Sequence, residues 1–431
     1  MSSPTVSTKM ARIAKQSEQN PTMVFTTLAH LMDEDFLTEA FHQLRKDAAA
    51  GIDEVTATEY GVNLGERIKD LHRRMVLGEY RAQPARRVWI PKGDGGQRPL
   101  AILVLEDKIV QRAVAMILEA IYEPHFCDFS CGFRRHFSAH TAIIELRQQC
   151  LKLGINWIID ADIRKFFDTI SWEQLRTILQ KRMNDGAILR LIGMWLHVGV
   201  LVEGQVVNQE LGTPQGAPIS PVLANIFLHE VLDEWFQKVV RPRMKGNCFL
   251  VRYADDFVMG FSVKGEAERV FKVLPKRFER YGLSIHPEKS RLVQFSRPYW
   301  KRGKGPGSFA FLGFTHYWAK TLRGGWTIKR KTQGKRLSRF MSGIGEWCKG
   351  HRHEPLAEQH RTLSSKLRGH YQYYGVRGNY KMLEVAYEHT RVMWKKWLRR
   401  RNSMNRMSWE RFAEGVEQTL GLPLPQIMHV F

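Results

Sequence analysis

The chain of 431 residues is poor in cysteine, in long apolar segments and, over its last third, in acidic side chains. Its five cysteines are scattered and odd in number, which excludes a disulfide-built scaffold and is typical of a reducing compartment. No apolar run approaches the roughly 20 residues that a membrane-spanning helix needs. Residues 1–22 lack the apolar core of a secretory signal. We therefore expect a disordered start and a cytoplasmic protein, although the Ser/Thr-rich, acid-poor composition of this segment leaves an organellar presequence open.

Positive charge is concentrated towards the C-terminus. The chain has a net charge of +23, and residues 291–431 contain 28 basic side chains, 8 acidic ones and no aspartate. Aromatic side chains are interleaved with the basic ones: Trp318, Trp326, Tyr371, Tyr373, Tyr374, Trp394 and Trp397. A short basic run can simply be a solvated surface. A positive field sustained over this length, with rings available for stacking, favours a nucleic-acid partner.

The hydrophobic patterning predicts a mixed α/β architecture followed by an almost wholly helical tail. Runs of strand composition occur near residues 86–104, 155–163, 247–262, 284–295 and 309–319. Helical patterns separate these runs. The basic, Gly/Pro-rich segment RPYWKRGKGPGS, residues 297–308, is the predicted domain boundary.

Two adjacent aspartates, Asp255 and Asp256, lie in the otherwise apolar run CFLVRYADDFVMGF, where unpaired carboxylates are costly. Successive side chains of a strand point to opposite faces, so the two aspartates can serve one site only from a bend. The segment VRY-ADD-FVM is therefore predicted to be a strand, a tight turn and a second strand. Aspartates that merely bond their own backbone in such a turn are the alternative.

A second acidic segment, WIIDADIRKFFDTI, carries Asp160, Asp162 and Asp168 in strand-like apolar surroundings. If it lies beside the predicted hairpin, carboxylates from two places converge, and such hard oxygen ligands favour Mg²⁺. Two Mg²⁺ ions held by carboxylates and substrate phosphates are the apparatus of nucleotidyl transfer. One ion activates the attacking hydroxyl and the other stabilises the leaving pyrophosphate. Mn²⁺ also suits these ligands, so the identity of the ion stays open.

Together these motifs resemble those of reverse transcriptases. Tyr253-Ala254-Asp255-Asp256 matches the family's Y-x-D-D signature, and other blocks follow in the family's order: WIPKGDGGQRPLAI, DIRKFFDTI, GTPQGAPISPVLANIFL, YGLSIHPEKSR and FAFLGF. The segment LRGHYQYYGVRGN resembles the maturase (thumb) domain of group II intron-encoded proteins. This resemblance covers roughly residues 22–430.

The resemblance implies a right-hand polymerase fold of α/β (α+β) class. We expect fingers and palm with a mixed, mainly antiparallel sheet over residues 23–305, then a basic helical thumb/maturase domain over 306–431. No endonuclease domain is expected. Two segments depart from the family pattern. Glu54 stands where the family often has glycine, and Arg135-His136-Phe137 stands where Pro-Gly-Arg is common.

The resemblance also assigns roles to residues at matching positions. The catalytic, metal-binding carboxylates would be Asp162, Asp255 and Asp256, with Asp160 as the alternative to Asp162. Residues that would contact the incoming deoxynucleotide are Lys92, Arg98, Phe167, Gln215, Gly216 and Lys289. Residues that would contact the primer or other nucleic acid are Tyr253, Phe311, Leu312, Gly313, Arg368, Tyr373 and Tyr374.

Some of these roles have structural alternatives. Phe167 would be the steric gate that excludes a 2′-hydroxyl, but an aromatic side chain is often plain core packing. Lys92 and Arg98 would grip the triphosphate, but a surface hairpin commonly carries such side chains. The segment FLGF would be the primer grip, and its composition also fits an ordinary core strand.

Three functions remain open at this point. The first is an intron-encoded, RNA-directed DNA polymerase that binds an RNA template, a DNA or RNA primer and dNTPs, and also helps its own group II intron RNA to fold and splice. The second is a related enzyme freed from any intron and recruited to DNA repair or defence. The third is an RNA-binding maturase with a vestigial polymerase, which the intact acidic motifs disfavour because RNA binding alone needs no carboxylate cluster.

Overall fold

The computed structural model describes residues 5–91, 96–198, 200–202, 205–207, 216–298, 307–401 and 408–431. The chain divides into two compact units. Unit 1 comprises Met1–Leu146 and Ala161–Leu292, and unit 2 comprises Arg147–Asp160 and Val293–Phe431. The second unit thus begins earlier than the boundary near residue 305 that the composition predicts, and it includes an internal segment of the chain.

The secondary structure mixes helices and strands throughout. The helices are α1 Val6–Gln19, α2 Glu34–His42, α3 Ala57–Val62, α4 Leu64–Val76, α5 Leu105–Tyr122, α6 Ala139–Lys152, α7 Phe166–Thr169, α8 Trp172–Gln180, α9 Gly186–His197, α10 Ser220–Leu228, α11 Lys264–Glu279, α12 Gly334–Gly350, α13 Leu356–Tyr374, α14 Tyr380–Leu398 and α15 Trp409–Phe412. The strands are β1 Ala85–Pro91, β2 Gln97–Ile102, β3 Trp157–Ala161, β4 Val200–Val202, β5 Gln205–Val207, β6 Cys248–Tyr253, β7 Asp256–Phe261, β8 Arg291–Gln294, β9 Phe309–Phe311, β10 Phe314–Lys320 and β11 Trp326–Thr332.

The strands of the described residues form three sheets. Their orders are β2-β1-β4-β5, β6-β7-β3-β8 and β11-β10-β9. In the first sheet β1 pairs antiparallel with β2 and parallel with β4. In the second, β6 and β7 form an antiparallel hairpin. Antiparallel pairing therefore predominates among the described pairs, as expected, and the β1–β4 pair makes the first sheet mixed.

The N-terminal segment is not a disordered start, because residues 6–19 form α1. Thr5 caps this helix by accepting a hydrogen bond from the backbone N–H of Thr8. On its inner face Ile13 and Ser17 are buried, and the Ser17 hydroxyl donates to the carbonyl of Ile121 at 2.6 Å. Val6, Met10, Ile13 and Ser17 recur at helical spacing, so one face packs against α5 and stabilises the segment.

Unit 2 contains more β-structure than a helical tail. Strands β9, β10 and β11 form an antiparallel sheet, and helices α12 to α15 follow it in the described part of the chain. The helical part has its own core, in which Leu363 and Leu367 of α13 pack with Leu383 and Trp394 of α14. Within this core the indole N–H of Trp394 donates a hydrogen bond to Oε1 of Gln359 at 2.9 Å, so the polar group of this buried ring has a partner.

The described helices were also considered as possible membrane spans. Over the described residues, no helix combines the length and the apolar character that crossing a bilayer requires.

Candidate active site

The Asp255-Asp256 pair lies at a hairpin bend, which confirms the predicted strand, turn and strand. Tyr253 at the end of β6 pairs with Asp256 at the start of β7, which leaves Ala254 and Asp255 as a two-residue turn. Ala254 takes a left-handed backbone conformation with φ of +56°. Asp255 is partly buried, whereas Asp256 is exposed.

Asp162 directly follows β3 and is held by the segment between residues 284 and 290. Its backbone N–H donates to the Ser290 hydroxyl at 3.2 Å, and its carbonyl accepts from the backbone N–H of His286 at 2.8 Å. The Lys289 ammonium lies 3.0 Å from Oδ2 of the Asp162 carboxylate. The predicted catalytic aspartate and the predicted triphosphate lysine are therefore adjacent.

Asp162 and Asp255 are close enough to interact electrostatically. Burial raises the pKa of Asp255, and the Asp162 carboxylate raises it further. The hydrogen bond to its own backbone and the positive charges of Arg98 and Arg252 act in the opposite direction on this pKa. The two acidic segments predicted from the sequence therefore meet, and the site favours a positive charge beside Asp255.

The carboxylates of Asp162 and Asp255 provide some of the ligands that a divalent cation needs. Two carboxylates that repel one another in a partly buried site are stabilised by a hard cation such as Mg²⁺. Among the described residues, however, no group of three or more His, Cys, Asp or Glu side chains is arranged to hold a metal ion. Asp162 and Asp255 are thus the residues that could share an ion, while Asp256 is on the exposed side of the hairpin. Asp160, the alternative to Asp162, lies within β3 in the part assigned to unit 2.

Arg98 lies on β2, opposite Ile90 of β1, with an exposed side chain. Its positive charge partly offsets the rise in the pKa of Asp255, so Arg98 contributes to the electrostatic field of the carboxylates. An exposed cation beside this pair can meet a phosphate group. Lys92, the other predicted triphosphate residue, lies outside the described residues, as does Gln215.

Gly216 contacts protein backbone in this structure. Its φ is +107°, a value that side chains rarely tolerate. A Cβ atom there would lie 2.9 Å from the carbonyl oxygen of Ala101. The glycine therefore allows the segment before α10 to pack directly against β2, which is an explanation that needs no bound nucleotide.

The two aromatic residues of DIRKFF have different environments. Phe166 is buried, with a relative exposure of 2%, and its ring packs against Phe227 of α10. Phe167 is only partly buried, and its ring makes an edge contact with Phe166 at a centroid distance of 5.3 Å. Phe166 is thus the core residue of the pair, and Phe167 keeps an accessible surface.

Unit 2 brings together predicted primer-grip residues that are distant in the sequence. Leu312 and Gly313 form a two-residue turn with φ values of +49° and +77° between the paired Phe311 and Phe314. The Tyr373 hydroxyl donates to the Leu312 carbonyl at 2.9 Å.

The second tyrosine also packs against this turn. The Phe314 ring lies 5.2 Å from the Tyr374 ring. A Cβ atom on Gly313 would lie 2.8 Å from the Tyr374 hydroxyl, so glycine is required there. Arg368 is exposed earlier on α13. The FLGF turn and the tyrosine pair thus pack together. Among the described residues, no hydrogen bond or ion pair joins Arg368 to them.

A buried polar network beneath the hairpin was not predicted. Arg252, Asp233 and Asn225 are almost completely buried, and hydrogen bonds join them. The available signal was Arg252 itself, because an arginine inside an apolar strand needs a buried partner.

Comparison with known proteins gives the site its context. Residues 90–316 match the family model described as reverse transcriptase (RNA-dependent DNA polymerase). The chain is 37% identical over 241 residues to the group II intron-encoded protein LtrA of Lactococcus lactis subsp. cremoris, which covers 55% of this chain and 39% of that protein. It is 31% identical over 297 residues to protein YkfC of Escherichia coli (strain K12), which covers 62% of this chain and 77% of that protein.

A plant relative is more distant. The nuclear intron maturase 3, mitochondrial, of Arabidopsis thaliana is 26% identical over 225 residues, which is 45% of this chain and 31% of that protein. The chain therefore spans well under half the length of the LtrA and plant relatives.

Proposed function

Because this chain belongs to the reverse transcriptase (RNA-dependent DNA polymerase) family, we propose that it is an RNA-directed DNA polymerase with two divalent metal ions as cofactors. Family membership implies the right-hand polymerase fold. The observation that carries the proposal is the hairpin bend, which sets Asp255 and Asp256 between two paired strands, with the Asp162 carboxylate near enough to raise the pKa of Asp255. A carboxylate pair of this kind has no evident structural use, whereas nucleotidyl transfer requires it.

Asp162 and Asp255 would hold the ions, and Asp256 would complete the set once a primer and nucleotide are bound. Bound divalent ions supply activation of the primer 3′-hydroxyl and stabilisation of the leaving pyrophosphate. The protein's own contribution is to orient both carboxylates and to place cations near them. Lys289 offsets the charge of Asp162 from 3.0 Å, and Arg98 offsets that of Asp255.

Substrate contacts follow from the same arrangement. Arg98 and Lys289 would turn towards the triphosphate of the incoming dNTP, as a guanidinium fork and a point charge respectively. Phe167 would crowd the 2′ position of its sugar. Lys92, Gln215 and Gly216 are proposed to contact the triphosphate and the nascent base pair by resemblance alone.

The domain roles are proposed in the same way. The β1–β2 hairpin would belong to the fingers, the hairpin bearing Asp255 to the palm, and the helices of unit 2 to the thumb. The turn at Leu312 and Gly313, with Tyr373 and Tyr374 against it, would grip the primer strand. The excess of basic residues from 291 onwards would bind phosphates, so affinity should fall steeply with added salt.

An RNA-splicing role is proposed alongside polymerisation. The relatives of this chain include a group II intron-encoded protein and an intron maturase. The basic, aromatic-rich unit 2 is compatible with a large structured RNA. We therefore propose that the RNA partner is a group II intron RNA, which the protein helps to fold and splice.

The polymerase proposal is tested with Asp255→Asn in primer extension on an RNA template. The amide keeps the size of the side chain but removes the charge that binds metal, so extension should be abolished while RNA affinity stays nearly unchanged. Asp47→Asn is the matched control, because Asp47 is an exposed carboxylate paired with Arg45. Extension by Asp255→Asn at the wild-type rate would reject the metal-site assignment.

The RNA partner is tested by sequencing RNA crosslinked to the protein in its own host and recovered after a stringent salt wash. Strong enrichment of one structured intron contiguous with this reading frame would support the splicing role. A heterogeneous pool of short RNA or DNA ends would reject it in favour of an intron-independent polymerase that acts in repair or defence.

A further inference from the structure

One arginine connects the hairpin bend to the rest of unit 1. Arg252 is the penultimate residue of β6, and its side chain has a relative exposure of 0%. Its Nε donates to Oδ1 of Asp233 at 2.8 Å, and its Nη2 donates to Oδ2 of the same carboxylate at 2.6 Å. This two-pronged ion pair fixes the plane of the guanidinium.

The remaining nitrogen of Arg252 reaches the bend itself. Nη1 donates to Oδ1 of Asn225 at 3.0 Å and to the carbonyl oxygen of Ala254 at 3.1 Å. Ala254 immediately precedes Asp255, and its φ of +56° is unfavourable for any residue with a Cβ atom. The guanidinium therefore holds the peptide that orients the Asp255 carboxylate in a conformation that the turn alone would not favour.

A third segment, which contains Cys131 and Gly132, packs against the bend. The side-chain amide of Asn225 donates to the Gly132 carbonyl at 2.7 Å. Gly132 packs so tightly that a Cβ atom there would lie 2.1 Å from the Ala254 nitrogen. The backbone of Arg252 also pairs with this segment, since its carbonyl accepts from the N–H of Cys131 at 2.8 Å.

We propose that Arg252 is a positioning residue, which sets the location of Asp255 through the Ala254 carbonyl and links it to α10 through Asn225. The inference rests on the proposed polymerase function. A buried ion pair is weak evidence of a contribution to stability, because well-packed apolar side chains often serve equally well. Apolar side chains cannot donate hydrogen bonds, whereas the planar guanidinium donates to one backbone carbonyl and to two side chains at the same time. A lysine cannot do so either, since its ammonium lacks the fork geometry.

The test is Arg252→Lys, which keeps the charge and loses the fork. The measurements are kcat, KM for dNTP, affinity for primer–template, and hydrogen exchange of the peptides that span the bend. We expect kcat to fall about 100-fold, because a displacement of about 1 Å at a reacting group costs that much. KM and primer–template affinity should stay within about threefold, and exchange should rise only around the bend.

The matched control is Arg112→Lys on α5. Arg112 also forms a two-pronged ion pair, at 2.7 and 3.1 Å from Glu119, and donates from Nε to Gln43. This variant loses the same fork, but the partners of Arg112 lie at the end of α2 and on α5 rather than at the bend, so its kcat should equal that of the wild type.

A folded Arg252→Lys protein with wild-type kcat and wild-type exchange at the bend would overturn the inference. If that variant fails to fold, Asn225→Ala serves in its place, because it leaves the Arg252–Asp233 ion pair intact. It should lower kcat without changing KM, and an unchanged kcat would overturn the inference. If the wild-type protein extends no primer, the proposed function fails, and the exchange comparison alone decides whether Arg252 holds the bend.

Discussion

The ammonium of Lys289 lies 3.0 Å from Oδ2 of Asp162, with the lysine side chain 59% exposed. An exposed cation therefore offsets the charge of one of the two carboxylates that the proposed chemistry needs. Such a side chain can leave Asp162 for an incoming triphosphate, because a lysine reorients easily as a point charge. The same residue would then serve the empty and the occupied site in turn.

Replacing this cation should weaken nucleotide binding. Lys289→Met keeps the length of the side chain and removes its charge, so KM for dNTP should rise about tenfold, the equivalent of one charge-assisted contact. The measurement is steady-state primer extension over a range of dNTP concentrations. Lys69→Met, at an exposed position on α4, is the control. An unchanged KM would remove Lys289 from the nucleotide site.

The position of Phe167 leads to a prediction about sugar selection. Its ring is partly accessible, whereas the neighbouring Phe166 belongs to the core. Phe167→Ala should therefore admit ribonucleotides, lowering the preference for dNTP over rNTP in kcat/KM by about 10- to 100-fold, the usual discrimination of a steric contact. The measurement compares single-nucleotide incorporation of dNTP and rNTP. Unchanged discrimination in a folded variant would assign Phe167 to packing.

The local parts of the site could be predicted from the sequence. Adjacent aspartates in an apolar run require a bend between two strands, and the hairpin at Asp255 has that form. The helix at residues 6–19 was predictable in principle from the spacing of Met10, Ile13 and Ser17. The polar composition around those positions obscured the stripe.

Other features depend on contacts that sequence patterns do not encode. Tyr373 donates to Leu312 across 61 positions of the chain, and no periodicity links two residues at that separation. Strand β11 was missed because WTIKRKT looks like part of the basic tail. Its alternation is nevertheless regular, with Ile328, Arg330 and Thr332 on the buried face. An arginine on the inward face hides this alternation from a hydrophobicity pattern.

Two departures from the family pattern coincide with strained backbone. Glu54 and His136, which stand where the family commonly has glycine, have φ values of +57° and +68°. Both side chains are exposed, so glycine would lose few contacts there. Glu54→Gly and His136→Gly should each raise the free energy of unfolding by about 0.5–1 kcal/mol, because relief of left-handed strain exceeds the added entropy of the unfolded chain.

Urea denaturation of each glycine variant provides the measurement. Lys69→Gly is a control of opposite sign, because Lys69 lies within α4 and glycine there should lower stability by about 1 kcal/mol. Destabilisation by Glu54→Gly or His136→Gly would show that the native side chain contributes more to the free energy of unfolding than its backbone strain removes.

A buried histidine should make unit 2 sensitive to acid. Burial, together with the nearby charge of Arg330, lowers the pKa of His316 to about 3, and its ring stacks on Phe309 at 5.1 Å. Below pH about 6.5 the unfolded state binds a proton that the folded state does not, so stability falls as the pH falls from that value towards 3. At pH 5 the loss should be about 2 kcal/mol relative to pH 7.

His316→Phe removes this titrating group and keeps the stacked ring. Thermal or urea unfolding at pH 7 and pH 5 should show a smaller difference between the two pH values for the variant than for the wild type. Burial also lowers the pKa of His370 to about 4, so part of the acid sensitivity should remain. His353→Gln at an exposed position should behave like the wild type. An identical pH dependence in His316→Phe would mean that His316 titrates normally.

The contact between Gly132 and Ala254 makes the bend sensitive to a single methyl group. A Cβ atom on Gly132 would lie 2.1 Å from the Ala254 nitrogen and 2.8 Å from the Tyr253 carbonyl carbon. Both neighbours are backbone atoms, so no side-chain rotation can relieve the overlap. Gly132→Ala should therefore shift the bend by about 1 Å and lower kcat for primer extension about 100-fold.

The control for this substitution is Gly193→Ala, because Gly193 lies in α9 and a Cβ atom there would meet no atom within 4 Å. It should retain full activity and gain up to about 1 kcal/mol of stability from improved helix propensity. Retained kcat in Gly132→Ala would mean that the segment at residue 132 can move away without displacing Asp255. In that case the bend would be held from the side of Arg252 alone, and Arg252→Lys should then still lower kcat.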